Sequence, residues 1–250
     1  MLDCKGNFVP LPSPFSDDGM TLSEIRIARM VRWYLNAGAE GFVVCTETGE
    51  FSTLSFSERK TMLEIVLRET RGTVPVLANV SSLSTAASID LAQSAGRHGA
   101  RGVVIMPPYY GDFTADETLA HLHAVSAYGK VPVILVDPQG KVTPEIQSRL
   151  AEWGNVVVAE PNFWRYTRSD AFTCGGISVL PWMAASPSQA ADPNVLEALK
   201  NFAAAKVAKA ALEIQNLDLG SPRPPMRRLT GELAHSLQET FAPSSTRLSA

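Results

Sequence analysis

SFSERKTMLEIVLRETRGTVPVLANV, residues 55–80, changes its apolar pattern once, and that change indicates the fold. SFSERKTMLEIVLRETRG reads as a helix opened by Ser55 or Ser57, either of which is a good N-cap. VPVLANV (74–80) is a short apolar run of strand length. The same alternation continues in both directions. Upstream, EIRIARMVRWYLNAGA (24–39) has apolar positions at helical spacing and closes on Gly38, and GFVVC (41–45) follows as a strand. Downstream come the helix TAASIDLAQSAGRHGA, the strand GVVIM (102–106), the helix TADETLAHLHAVSAYG and the strand VPVILVD (131–137). TPEIQSRLAEWG is helical again, and NVVVAE, ending at Glu160, is a further strand. Strands alternating with helices of about ten or more residues specify parallel βαβ units. Their number in 250 residues favours an α/β fold of the (β/α) TIM-type barrel class over an open sheet. Function is then expected at the carboxyl ends of the strands.

Composition narrows the function classes. A chain that is 45% hydrophobic and 19% charged can bury a full core. A net charge of −3 with scattered basic residues gives no electrostatic footprint for nucleic acid, and no stretch reaches the apolar length of a membrane span. The expected partners are neither nucleic acid nor membrane. MLDCKGNFVP lacks the apolar core of a signal peptide, so the expected location is cytoplasmic. Cys4, Cys45 and Cys174 have neither metal spacing nor an even count, and Cys45 and Cys174 read as buried free thiols.

The predicted strand ends are TETGEF (46–51), the segment from Asn79 to Ser84, MPPYYGDF (106–113), VDPQGK (136–141) and EPNFW (160–164). With PSPFSDDGM near the start, AGAEGFVVCTETGEFSTLSFSER, VPVLANVSSLSTAASIDLAQSAGRHGARGVVIMPPYY, VPVILVDP and GGISV, they stand in an order that resembles the dihydrodipicolinate synthase and N-acetylneuraminate lyase family. The resemblance runs from about Val9 to about Phe241. It implies a (β/α)8 barrel with a C-terminal helical extension, here a barrel over 1–187 and an extension over 188–250, and a homo-oligomer, dimer or tetramer. It also implies cleavage or condensation of 2-oxo acids through a Schiff base on a lysine, with no separate cofactor.

Several residues depart from that pattern. The Schiff-base lysine of the family corresponds to Glu160, and a carboxylate cannot form an imine. The relay phenol on the fifth strand corresponds to Val136. The GTTGE loop that holds the substrate carboxylate appears as Thr46, Glu47, Thr48, Gly49 and Glu50, so Glu47 replaces one threonine and Thr48 remains. Tyr109 and Tyr110 are kept, and the resemblance assigns Tyr110 to a relay across the tight dimer; both tyrosines also suit plain packing at a subunit contact. Only fourteen residues, PNFWRYTRSDAFTC, separate Glu160 from GGISV (175–179), too few for a helix, a strand and another helix. About one βα unit near strand seven is therefore expected to be missing; FWRYT is long enough for a short replacement strand, and the closing stretch of the barrel is expected to be open, irregular or supported by another subunit.

Glu47, Asp137 and Glu160 follow strands two, five and six, so in a closed barrel they share one mouth. Converging carboxylates require a proton or a cation among them, which leaves a metal an open alternative to carboxylates that point apart or pair with Arg165 or Arg168. Glu50 reads as a cap on a neighbouring backbone segment, and Lys141 as a solvated loop lysine. His121 and His123, two apart on a helix, face different ways. The sites expected are Glu160 and Tyr110 for catalysis and Glu47, Thr48 and Asp137 for substrate. The function expected is that of a divergent, shortened lyase of the family, acting on a small 2-oxo acid or related carbonyl compound without the usual Schiff-base lysine. A catalytically inactive protein with a binding or regulatory role and a metal-assisted aldolase are the alternatives.

Overall fold

The computed structural model describes residues 8–137, 139–153, 156–158, 204–232 and 234–235. Among the described residues, six strands form one parallel sheet in sequential order: β1 (Phe8–Pro10), β2 (Gly41–Val44), β3 (Val76–Asn79), β4 (Gly102–Ile105), β5 (Val133–Leu135) and β6 (Val156–Val158). Helices α1 (Glu24–Asn36), α2 (Phe56–Thr70), α3 (Thr85–His98), α4 (Ala115–Gly129) and α5 (Pro144–Ala151) connect them in turn, and α6 (Ala204–Ile214) lies in the C-terminal part. Each strand pairs with the next, as a barrel wall built from consecutive βα units does.

Local chemistry sets the element boundaries. Ser55, not Ser57, caps α2: its Oγ accepts the Glu58 N–H at 3.2 Å, and the Glu58 carboxylate accepts the Ser55 N–H at 2.8 Å. Thr114 and Glu117 repeat this reciprocal cap on α4, and Thr143 caps α5 ahead of Pro144. β1 is the strand that the apolar pattern does not mark. It has three residues and includes Pro10, and it exists through pairing with β2, Phe8 opposite Gly41 and Val9 opposite Phe42. Gly41 makes room for that pairing, since a Cβ there would lie 2.5 Å from the Phe8 ring.

The sheet is buried on both faces, which is why its strands read as continuous apolar runs. Phe8, Phe42, Val43, Val44, Leu77, Val103, Val104, Ile105 and Leu135 are fully buried, and α1 adds Ile27, Met30, Val31 and Tyr34. Each such side chain contributes roughly 1.5–3 kcal/mol through removal from water. Cys45 is a buried free thiol, as expected, and burial pushes it up to about 11. The expected missing unit, the FWRYT strand, GGISV, Cys4, Cys174 and the 187/188 boundary lie outside the described residues. So do residues 188–203, 233 and 236–250 of the expected C-terminal extension. Among the described residues no helix is long and apolar enough to cross a membrane.

Candidate active site at the carboxyl ends of the strands

Because all six strands are parallel, the segments that follow them share one end of the sheet. A polar lattice fixes the ends of β2, β3 and β4. The Asn79 amide donates to the Cys45 carbonyl at 2.7 Å, its oxygen accepts from the Ser81 N–H and hydroxyl, and the Ser81 oxygen accepts the Met106 N–H at 2.8 Å. The ends of β2, β3 and β4 are thereby joined through two small side chains. Arg59, reaching over from α2, donates to the carbonyls of Ser81 and Asn79 and lies 5.5 Å from the centre of the Phe51 ring. Its guanidinium is buried and held below its usual value by desolvation. The segment from Asn79 to Ser84 is a strand end expected from sequence, but the roles of Asn79 and Ser81, and the place of Arg59, lie in contacts between elements.

The loop after β2 is shaped around Gly49 and Glu50. A Cβ at Gly49 would stand 2.9 Å from the Leu11 carbonyl and 3.2 Å from the Thr46 nitrogen, so only glycine allows the backbone this close. The Ser13 hydroxyl donates to the Gly49 carbonyl at 2.6 Å. Glu50 adopts a left-handed backbone, φ 54°, and its side chain is fully enclosed. One carboxylate oxygen accepts the Arg223 N–H at 2.8 Å, the backbone-capping role that the sequence suggests. The other lies 2.7 Å from Lys209 Nζ of α6.

Thr48 is buried in this loop, and the buried hydroxyl of Thr46 has no hydrogen-bond partner among the described residues. Glu47 keeps surface open to solvent, while the protein on its other sides desolvates its carboxyl and pushes it up. No described side chain pairs with it. Asp137, after β5, is half-buried and accepts the N–H groups of Lys141 at 2.9 Å and Val142 at 2.6 Å. It therefore shapes its own loop. Lys141 differs from the solvated lysine expected: its Nζ donates to the Gly111 carbonyl at 3.0 Å, with Pro108 O at 3.4 Å, tying the loop after β5 to the loop after β4. Val136 is buried at the end of β5.

The two tyrosines separate. Tyr110 is 77% exposed. Tyr109 is half-buried, meets Phe51 edge to face at 5.9 Å, and is pushed up by burial against a smaller downward pull from Arg59. His121 and His123 face different ways as expected: the first is buried with Nδ1 2.9 Å from the Thr85 hydroxyl, and the second is exposed against Trp153. Glu160 lies outside the described residues, and among those described no three His, Cys, Asp or Glu side chains gather as a metal ion would require.

Comparison with known proteins agrees with this architecture. The model of the Dihydrodipicolinate synthetase family matches residues 3–160. Among curated proteins, 4-hydroxy-tetrahydrodipicolinate synthase of Pelobacter propionicus is 34% identical over 157 residues, 61% of this chain and 53% of that one. The Rhizobium meliloti protein of the same name is 36% identical over 142 residues, 57% of this chain and 48% of that one. The chain thus spans about half the length of the curated relatives it matches. Among solved structures, a dihydrodipicolinate synthase from Bacillus anthracis superposes with a TM-score of 0.83 at 23% identity, covering 96% of this chain and 98% of that one. N-acetylneuraminate lyase from Mycoplasma synoviae gives 0.78 at 19% identity, covering 96% and 98%. At these identities the structures speak for the fold, a (β/α) barrel. The family model covers more than half the chain and takes in the loops after β2, β4 and β5 described above, so this protein belongs to the dihydrodipicolinate synthetase family.

Proposed function

We propose that this protein is a divergent aldolase-type lyase that takes a small 2-oxo acid or related carbonyl compound at the mouth of the barrel and does not form an imine at residue 160. The observation that carries the reading is chemical: the residue that follows β6 in the family's lysine position is Glu160, which has no amine to offer. Lys141, at the same end, is spent on the carbonyls of the neighbouring loop. Thr48 would hold the ligand carboxylate, as the surviving member of the family cradle. Glu47, whose carboxyl burial pushes up, would stand beside the ligand in the place of the family's threonine. Tyr110 would supply a proton from a subunit contact in a homo-oligomer, and Asp137 would keep the fifth loop in place beside the ligand.

A second reading, a binding or regulatory protein without turnover, is favoured by Val136, whose side chain has no proton to relay. Incubation with pyruvate and borohydride, followed by intact-mass measurement, tests the common element of both. No adduct is expected, alongside measurable pyruvate binding by calorimetry that Thr48→Val weakens. A stoichiometric adduct mapped to any lysine would overturn the proposal, and turnover of aldol donors in the wild-type protein separates the first reading from the second.

A further inference from the structure

Among the described residues, a dense set of contacts runs from the C-terminal segment to the N-terminal loop and the loop after β2. Lys209 of α6 and Arg223 beyond it both lie 4.4 Å from the centre of the Phe15 ring. Lys209 Nζ sits 2.7 Å from the Glu50 carboxylate, with side-chain exposures of 5% and 0%, and also donates to the Ser221 carbonyl at 3.2 Å. Arg223 gives its N–H to Glu50 and its guanidinium to Glu58, at 2.7 and 2.9 Å, and to the carbonyls of Met20 and Thr53. Leu219 accepts the Phe15 N–H at 3.0 Å, Ser221 donates to Asp17 O at 2.6 Å, and Asp218 pairs with Arg26 at 2.7 Å. The segment is therefore laced to the N-terminal loop along its length, and it meets the residue that closes the Thr46–Glu50 turn through the Lys209 ammonium and the Arg223 backbone N–H.

Glu50 needs this support. A non-glycine residue in the left-handed region is held at a cost and persists when its surroundings over-determine it. Its backbone shapes the turn directly: Glu50 N–H donates to Glu47 O at 3.0 Å, and Thr53 N–H donates to Glu50 O at 2.9 Å. Releasing the side chain would free the backbone that presents Glu47 and Thr48. Burial lowers Lys209 to about 8 despite the adjacent carboxylate, so the contact is made at a desolvation cost rather than for stability alone.

We propose that the segment from α6 to Arg223 is a strap that sets the shape of the Thr46–Glu50 loop, with Lys209 as the positioning residue, so that seating of the strap and occupancy of the mouth are coupled. The strap stands on the contacts above; its coupling to a ligand rests on the proposed function. By linkage, a ligand that favours the formed loop must also favour the seated strap, and by the same factor.

Hydrogen–deuterium exchange by mass spectrometry reads the loop without any ligand. Lys209→Met is expected to speed exchange across 46–54 at least tenfold while β3 and β4 keep the wild-type rate, and Lys209→Arg is expected to restore most of the protection. If Lys209→Met does not fold, Arg223→Met, which leaves the Lys209–Glu50 pair in place, is read in the same way. Pyruvate is then expected to slow exchange at 217–223 in the wild type and to bind at least tenfold more weakly to the variant. Unchanged exchange at 46–54, or a uniform rise over the whole sheet, would overturn the strap. Selective loosening of the loop with no pyruvate binding to the wild type would keep the strap and sink the proposed ligand.

Discussion

Replacing Glu50 by glutamine should be among the more damaging single changes in this protein, although the two side chains have nearly the same shape. The substitution leaves Lys209 Nζ, 5% exposed, beside a neutral amide in place of a carboxylate 2.7 Å away. Removing one member of a buried ion pair costs about 3–5 kcal/mol, because the surviving charge stays desolvated and unpaired. The reverse change, Lys209→Met, should cost less, since Glu50 still accepts the Arg223 N–H at 2.8 Å. The double variant removes both charges together and should be more stable than the sum of the singles predicts, by about 0.5–3 kcal/mol.

The same pair fixes a pH signature. The ordinary lysine value of 10.5 falls to about 8 here, chiefly by desolvation, which corresponds to a differential on the order of 3 kcal/mol between folded and unfolded chains. Between those two values the unfolded chain holds a proton that the folded chain has released, so stability from this group rises with pH across that window. Lys209→Met should lack the rise. Urea denaturation at fixed ionic strength, with midpoint and slope both fitted, measures all of these quantities. Glu50→Gln within 1 kcal/mol of wild type, or strictly additive singles, would show that the Lys209–Glu50 contact carries no coupling and that the reasoning is wrong.

Gly49→Ala should destabilise the fold by about 1–3 kcal/mol, because the new Cβ meets Leu11 and Thr46 backbone atoms that cannot retreat as a flexible side chain would; a melting temperature equal to wild type would contradict this. Arg223 pulls Glu58 down to about 2 from its ordinary 4.5, so this carboxylate contributes stability above 4.5 that is lost as pH falls towards 2. Arg223→Met should flatten the acid limb of the stability profile, and an unchanged slope would rule out that source. Tyr110, 77% exposed on the described chain, is expected to lie against a partner copy, so Tyr110→Ala should shift light scattering towards smaller species. A wild-type protein already monomeric at micromolar concentration would refute the assembly.

The alternation of helix and strand was legible because periodicity and caps act within a few residues: Ser55 with Glu58 and Thr114 with Glu117 each complete a helix start inside one turn. Glu160 and Val136 read as departures only through the resemblance to the family, since nothing in their local sequence assigns them a role. Tertiary structure alone decided which side chains meet. β1, with Pro10 in three residues, has no pattern of its own and becomes a strand through Gly41 and Phe42. Asp137 could be read as a ligand group at a strand end, yet its oxygens accept from the backbone of Lys141 and Val142, and the half-buried Lys141 reaches the carbonyl of Gly111. Tyr109 and Tyr110 are identical neighbours in sequence, and only packing against Phe51 makes one half-buried while the other stays in water. Glu50 and Lys209 stand in opposite halves of the chain, and no local rule pairs them. Their contact exists because the folded backbone brings the C-terminal helix over the loop after β2, where desolvation makes each charge depend on the other.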